Sequence, residues 1–177
     1  MADVEICPAH TALVVIHAWD VGTPQDFPGY HRAVEYFPRA DAIVRHVFPD
    51  LLSAVRASQM KLFHVVGDGD YYRTHPGYGL AVVELAGPPP EPLEWVQSDE
   101  VLEALKQFRA DHVFPGAHNQ ADVARGVKAL DFPAEAMPLP DEGIAENAHQ
   151  LFALCKVNGV NHLIYAGFTL NICMMFH

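Results

Sequence analysis

Basic side chains are scarce in this chain. Its 177 residues hold 11 Lys and Arg against 22 Asp and Glu, a formal charge of −11 at pH 7. A surface of that sign repels polyanions, so nucleic acid is excluded as an expected partner. Long apolar runs are also missing. Stretches such as residues 13–16 and 163–166 fall far short of the ~20 residues that span a bilayer, and no membrane partner is expected. Ala2, Asp3, Val4 and Glu5 form neither a basic n-region nor an apolar h-region, so no secretory signal is expected. Cysteine is sparse: Cys7, Cys155 and Cys173 are odd in number and widely separated. That suits a reducing compartment better than a disulfide framework, and a cytoplasmic location is expected. Charged residues make up 19% of the chain and apolar residues 50%, which excludes a disordered acidic tail. The length fits one domain over residues 1–177.

Proline and histidine are plentiful instead, at 14 and 11 residues. Pro88-Pro89-Pro90, followed by Pro92, reads as a stiff connector between packed elements. Ala12-Leu13-Val14-Val15-Ile16 is a continuous apolar run, which fits a strand buried on both faces. Val44, Val47, Leu51 and Val55 recur at spacings of three and four and predict a helix over residues 40–58, kinked or restarted at Pro49. Lys61 to Val66 reads as a second strand, closed by Gly67-Asp68-Gly69-Asp70. Residues 71–98 read as a long loop whose Tyr71, Tyr72, Tyr78 and Trp95 suit either a flat ligand or packing on the body. A short helix is expected over residues 99–108 with Ser98 as its cap, and a short strand over residues 134–139. Ile144, Ala148, Leu151, Phe152 and Cys155 mark a further helix, stopped at Asn158-Gly159. His162 to Ala166 is the last strand, running into Gly167.

Strands alternating with amphipathic helices define an α/β fold: a three-layer, Rossmann-like parallel sheet with helices on both faces. Ligands of such sheets bind at the carboxyl ends of the strands, which places His17, Asp20, residues 67–70 and residues 167–173 on one rim. Residues 163–166 are apolar throughout, without the charges or proline that protect a sheet edge. The expected sheet is therefore incomplete at its carboxyl end or covered by a neighbouring subunit, and a homo-oligomer is expected.

Gly167-Phe168-Thr169-Leu170-Asn171-Ile172-Cys173 follows the last strand directly. A helix beginning at that cysteine would stabilise its thiolate through backbone N–H groups and the helix dipole. The segment resembles the nucleophile turn of the isochorismatase-like cysteine hydrolases, in which a strand leads through Gly, Thr and often Asn to Cys. Ile16-His17-Ala18-Trp19-Asp20 is similar to the end of the first strand in a subgroup of that family. The resemblance implies a small-molecule substrate and Cys173 as the nucleophile attacking a small amide or related C–N bond through a thioester. It also implies an oxyanion turn with a cis peptide bond between Phe168 and Thr169, and a site shared by Trp19 and Asn171. The family's triad aspartate is replaced by His17, which could serve as the base with Asp20 as a further polar group on the rim. Its triad lysine, counted back from Gly167, falls near Leu139 or Pro140, where no lysine stands.

Two other functions compete with hydrolysis. One is a non-catalytic ligand-binding or assembly relative with the same fold. The other is a metal site built from His17, His64, His75 or His118, although none of these has a zinc-binding spacing, and no metal is expected. No Gly-x-Gly-x-x-Gly follows a strand and no phosphate-binding Gly-x-x-x-x-Gly-Lys occurs, so no nucleotide cofactor is expected. Cys155 lies on an apolar helix face and reads as structural.

Overall fold

The computed structural model describes residues 3, 5–79, 85–92, 94, 96–169 and 173. Four strands, β1 (Thr11–Ile16), β2 (Lys61–Val65), β3 (Gly143–Ala145) and β4 (His162–Gly167), form one sheet in the order β3-β2-β1-β4. Every pairing is parallel. The chain is thus an α/β protein, with β1 between β2 and β4 and buried on both faces as the apolar run at residues 12–16 predicts.

Alternation along β1 divides the core. Ala12, Val14 and Ile16 point into one cluster, Leu13 and Val15 into the other. The first cluster is closed by Leu151, Leu154 and Cys155 of the helix Ala148–Asn158. The second is closed by Val44 of one helix, Phe37–His46, and by Phe48, Leu52 and Val55 of the next, Phe48–Arg56. Each of these buried aliphatic or aromatic side chains contributes ~1.5–3 kcal/mol relative to exposure. Together they lock the strand order that builds the rim. Numbered along the chain, the helices are α1 (Pro28–Ala33), α2 (Phe37–His46), α3 (Phe48–Arg56), α4 (Glu100–His112), α5 (Gln120–Lys128) and α6 (Ala148–Asn158).

The differences from the sequence reading have physical causes. The helix expected over residues 40–58 is two helices that break at Val47, because Pro49 occupies the first turn of α3, where its missing N–H costs nothing. No strand forms over residues 134–139. Ala134–Ala136 is a 3-10 turn, and Pro133, Pro138 and Pro140 remove the donors a ladder needs. The third strand comes later, at β3, and takes Ile144, which was expected in a helix. α6 then starts at Ala148, capped by the Asn147 side chain, which accepts from the Gln150 N–H at 3.0 Å. It stops at Gly159 with φ 66°, as Asn158-Gly159 predicts. The cap of α4 is Asp99 rather than Ser98, accepting from the Leu102 N–H at 2.7 Å, and the helix continues to His112.

The short helices α1 and α5 escaped the periodicity argument. They dock closely: Asp122 accepts from the Gly29 N–H at 2.7 Å, and Gly126 lies against the Tyr30 ring. Within the expected long loop, Tyr72 and Tyr78 are buried with Phe132, and Tyr71 packs beside them. These tyrosines therefore belong to the body of the protein; Trp95 lies outside the described residues. Among the described residues no helix is long and apolar enough to cross a membrane.

Candidate functional site

From β1 the chain passes to β2 and then β3 on one side, while β4 returns on the other. The strand order reverses between β1 and β4, and ligands of open parallel sheets bind at the carboxyl end of such a switch point. Ile16 and Gly167 are register partners there, and the Phe168 N–H donates to the Ile16 carbonyl at 3.1 Å. Gly167 permits this approach. Its φ is 153°, and a Cβ on it would collide with the Ile16 carbonyl.

His17 leaves β1 with φ 50°, in the left-handed region, which costs a non-glycine residue roughly 1–2 kcal/mol. Its N–H donates to the Val65 carbonyl at 3.1 Å, so its backbone is tied to β2. The imidazole stacks on Trp19, with ring centres 4.7 Å apart and planes inclined by 13°. Trp19 is fixed in turn, since its indole N–H donates to the Tyr71 hydroxyl at 2.8 Å. Asp20 pairs by backbone with Asp131, and its carboxylate accepts from the Gly22 N–H at 2.9 Å. That is turn chemistry, and it holds the Asp20 side chain on the rim.

These residues line a cleft of about 730 Å³, within the usual size range of small-molecule sites. His17, Trp19, Asp20 and Phe168 all lie in its wall. Four of the residues expected at the site are therefore brought together. Phe168 also stacks at 6.1 Å on Phe48, so the wall is continuous with the second core cluster. The far side comes from the start of α2 and its surroundings, including Tyr36, Phe37, Asp41, Arg45 and Glu135. None of these was expected from the sequence. The Asp41/Arg45 pair, four residues apart on one helix, was the only available signal, and it reads equally as an ordinary surface pair.

The remaining expected residues stand apart from the cleft. The Phe168–Thr169 peptide bond is cis, as the resemblance implies, but Thr169 is half-buried and not in the cleft wall. Asn171 lies outside the described residues. Cys173 is half-buried and packs with Leu163 and Tyr165 against the first core cluster, the one that α6 covers. It is not a wall residue. The Tyr36 hydroxyl, in the cleft wall, is pushed up by burial.

The residue after the third strand differs from the one reached by counting. β3 ends at Ala145, so the rim position is Glu146 rather than Leu139 or Pro140. Glu146 accepts from the Tyr72 and Tyr78 hydroxyls at 2.6 Å each and from Arg73 at 2.9 Å. Burial raises its pKa, but these donors outweigh burial and hold it below the usual carboxylate range. The histidines proposed for a metal are dispersed. His64 bonds Glu142 at 3.1 Å and His75 bonds the Pro138 carbonyl at 3.1 Å. Among the described residues no group of three His, Cys, Asp or Glu could hold a metal ion. No protein-family model and no curated protein sequence matches the chain.

Proposed function

We propose that the protein is a cysteine hydrolase that cleaves a small amide or related C–N bond at the β1–β4 cleft. Cys173 Sγ attacks the carbonyl carbon, and His17 takes the thiol proton and passes it to the leaving nitrogen. The amine departs and leaves a thioester. Water then adds to the thioester carbonyl, giving its proton to His17, and expels the thiolate with release of the acid. Backbone N–H groups of Thr169 and Cys173 would hold the oxyanion, where preorganised donors contribute much of the rate. What supports hydrolysis is the position of the cleft: it opens at the switch point, with His17 and Phe168 in its wall.

A ligand-binding protein without catalysis is the second reading. It is favoured by the packing of Cys173 against the core cluster rather than in the cleft wall. Alkylation separates the two. Cys7 is exposed, so the experiment uses a Cys7→Ser background and follows iodoacetamide adducts at pH 6 by intact mass. An activated Cys173 labels on the order of tenfold faster than free cysteine. The label is lost in Cys173→Ala, and labelling slows several-fold in His17→Ala. Labelling no faster than free cysteine establishes the second reading instead.

A further inference from the structure

Arg45 is the one fixed cation among the described residues of the cleft wall, against four carboxylates: Asp20, Asp26, Asp41 and Glu135. Its charge is already engaged. The guanidinium Nε donates to both Asp41 oxygens at 2.8 and 2.9 Å, a second nitrogen stands 3.8 Å from Glu135, and Asp20 acts on it as well. Counted over carboxylates and guanidinium alone, the wall keeps a net charge of −3, four negative groups less one positive. An anionic ligand would find no unengaged fixed cation there.

The rest of the wall is aromatic. Trp19, Tyr36, Phe37 and Phe168 contribute rings, and two of these are held rigidly. Trp19 is clamped between the His17 stack and the Tyr71 hydroxyl. Phe37, 3% exposed, presents little face itself but backs the half-buried Tyr36 ring edge-on and is held by Tyr30. Aromatic faces attract cations through the ring quadrupole, best when the ring is fixed and the ion partly desolvated. Concavity, rigid rings and uncompensated carboxylates converge on one ligand chemistry.

We infer that the cleft takes a small organic cation, a substituted ammonium group carried by the substrate, with the aromatic walls around the alkyl shell and the rim carboxylates balancing its charge. The inference rests on the proposed function for one point only, that this cleft is the substrate site. Substrates bearing a carboxylate or sulfonate would be disfavoured, and a neutral amide would bind without the electrostatic gain.

The test is calorimetric titration of the Cys7→Ser protein at pH 8, above the ordinary imidazole range, with three probes of similar size: benzyltrimethylammonium, benzyl alcohol and phenylmethanesulfonate. The ammonium is expected to bind roughly tenfold more tightly than the alcohol, and the sulfonate more weakly than either. Asp20→Asn with Glu135→Gln should remove most of that preference, and 0.5 M salt should reduce it. Asp41→Asn, which releases Arg45, should shift the preference toward the sulfonate. Equal affinities for the three probes, or tighter binding of the sulfonate by the unaltered cleft, would overturn the inference. Ammonium selectivity with an inert Cys173 keeps the cation site and removes the hydrolase. Fast Cys173 alkylation with no selectivity among the probes does the reverse.

Discussion

Glu142 offers a quantitative test of how the sheet's third strand is anchored. It precedes β3 and is 7% exposed. Its carboxylate accepts from Arg56 at 2.7 and 3.0 Å, from the Leu139 N–H at 2.9 Å and from His64 Nε2 at 3.1 Å. Burial pushes the His64 pKa down, so the imidazole is neutral at pH 7 and donates its Nε2 proton to the carboxylate. Burial alone would raise the Glu142 pKa. The donors from His64, Arg56 and Leu139 outweigh it and lower the value from 4.5 to about 2. A depression of that size corresponds to ~3 kcal/mol of native-state stability, at ~1.36 kcal/mol per pH unit.

The sign follows from linkage. The unfolded chain binds a proton at Glu142 before the folded protein does. The contribution is therefore fully present above pH 4.5 and is lost as pH falls toward about 2. Other carboxylates titrate in the same window, so the informative quantity is the stability difference between the native protein and Glu142→Gln, measured by urea unfolding from pH 6 to pH 2. The difference should be largest at the upper end and shrink by ~3 kcal/mol across the window. A difference that stays constant with pH would refute the assignment of a buried, hydrogen-bonded carboxylate at this position.

Two further substitutions probe the rim. Gly167→Ala places a Cβ against the Ile16 carbonyl at a φ of 153°; it should lower stability by ~2–4 kcal/mol and slow Cys173 alkylation, and an unchanged melting temperature with unchanged labelling would refute the close approach. Tyr72→Phe and Tyr78→Phe each delete a 2.6 Å hydrogen bond to the Glu146 carboxylate; each should cost ~1.5–3 kcal/mol in thermal or urea unfolding, and a loss near zero would mean that solvent replaces the hydroxyl.

The fold was legible where burial is continuous and local. β1, β2, β4 and the end of α6 are runs of apolar residues closed by glycine or turn residues, and tertiary packing agrees with what each segment prefers alone. β3 was not legible, because three residues carry no periodicity and because Glu142 and Glu146 flank them with charge. Those charges are tolerated only because Arg56, His64, Tyr72 and Tyr78 arrive from distant segments. At the site, His17, Trp19, Asp20 and Phe168 were legible because strand ends on a parallel sheet converge. The α2 side of the cleft was not, since it depends on how a helix seats on the sheet through Phe37 and Val44.

The residues that follow the first and third strands differ in chemistry. An imidazole, His17, follows the first strand, and a carboxylate, Glu146, follows the third. Glu146 cannot act as a mobile partner for a thiolate, because two tyrosine hydroxyls, Arg73 and Gln150 already occupy its oxygens. Its effect is architectural: it holds Tyr72 and Tyr78 beside β3, and Tyr71, packed edge-on against Tyr72, fixes the indole of Trp19 on which His17 stacks. The third strand therefore reaches the cleft through packing, and on the proposed mechanism balancing a thiolate at Cys173 would fall to His17 at the end of the first strand. A histidine can accept a thiol proton and supply a positive charge once it has done so. The left-handed backbone of His17, held by the Val65 carbonyl, and its stacking on Trp19 set the imidazole in the wall of the β1–β4 cleft.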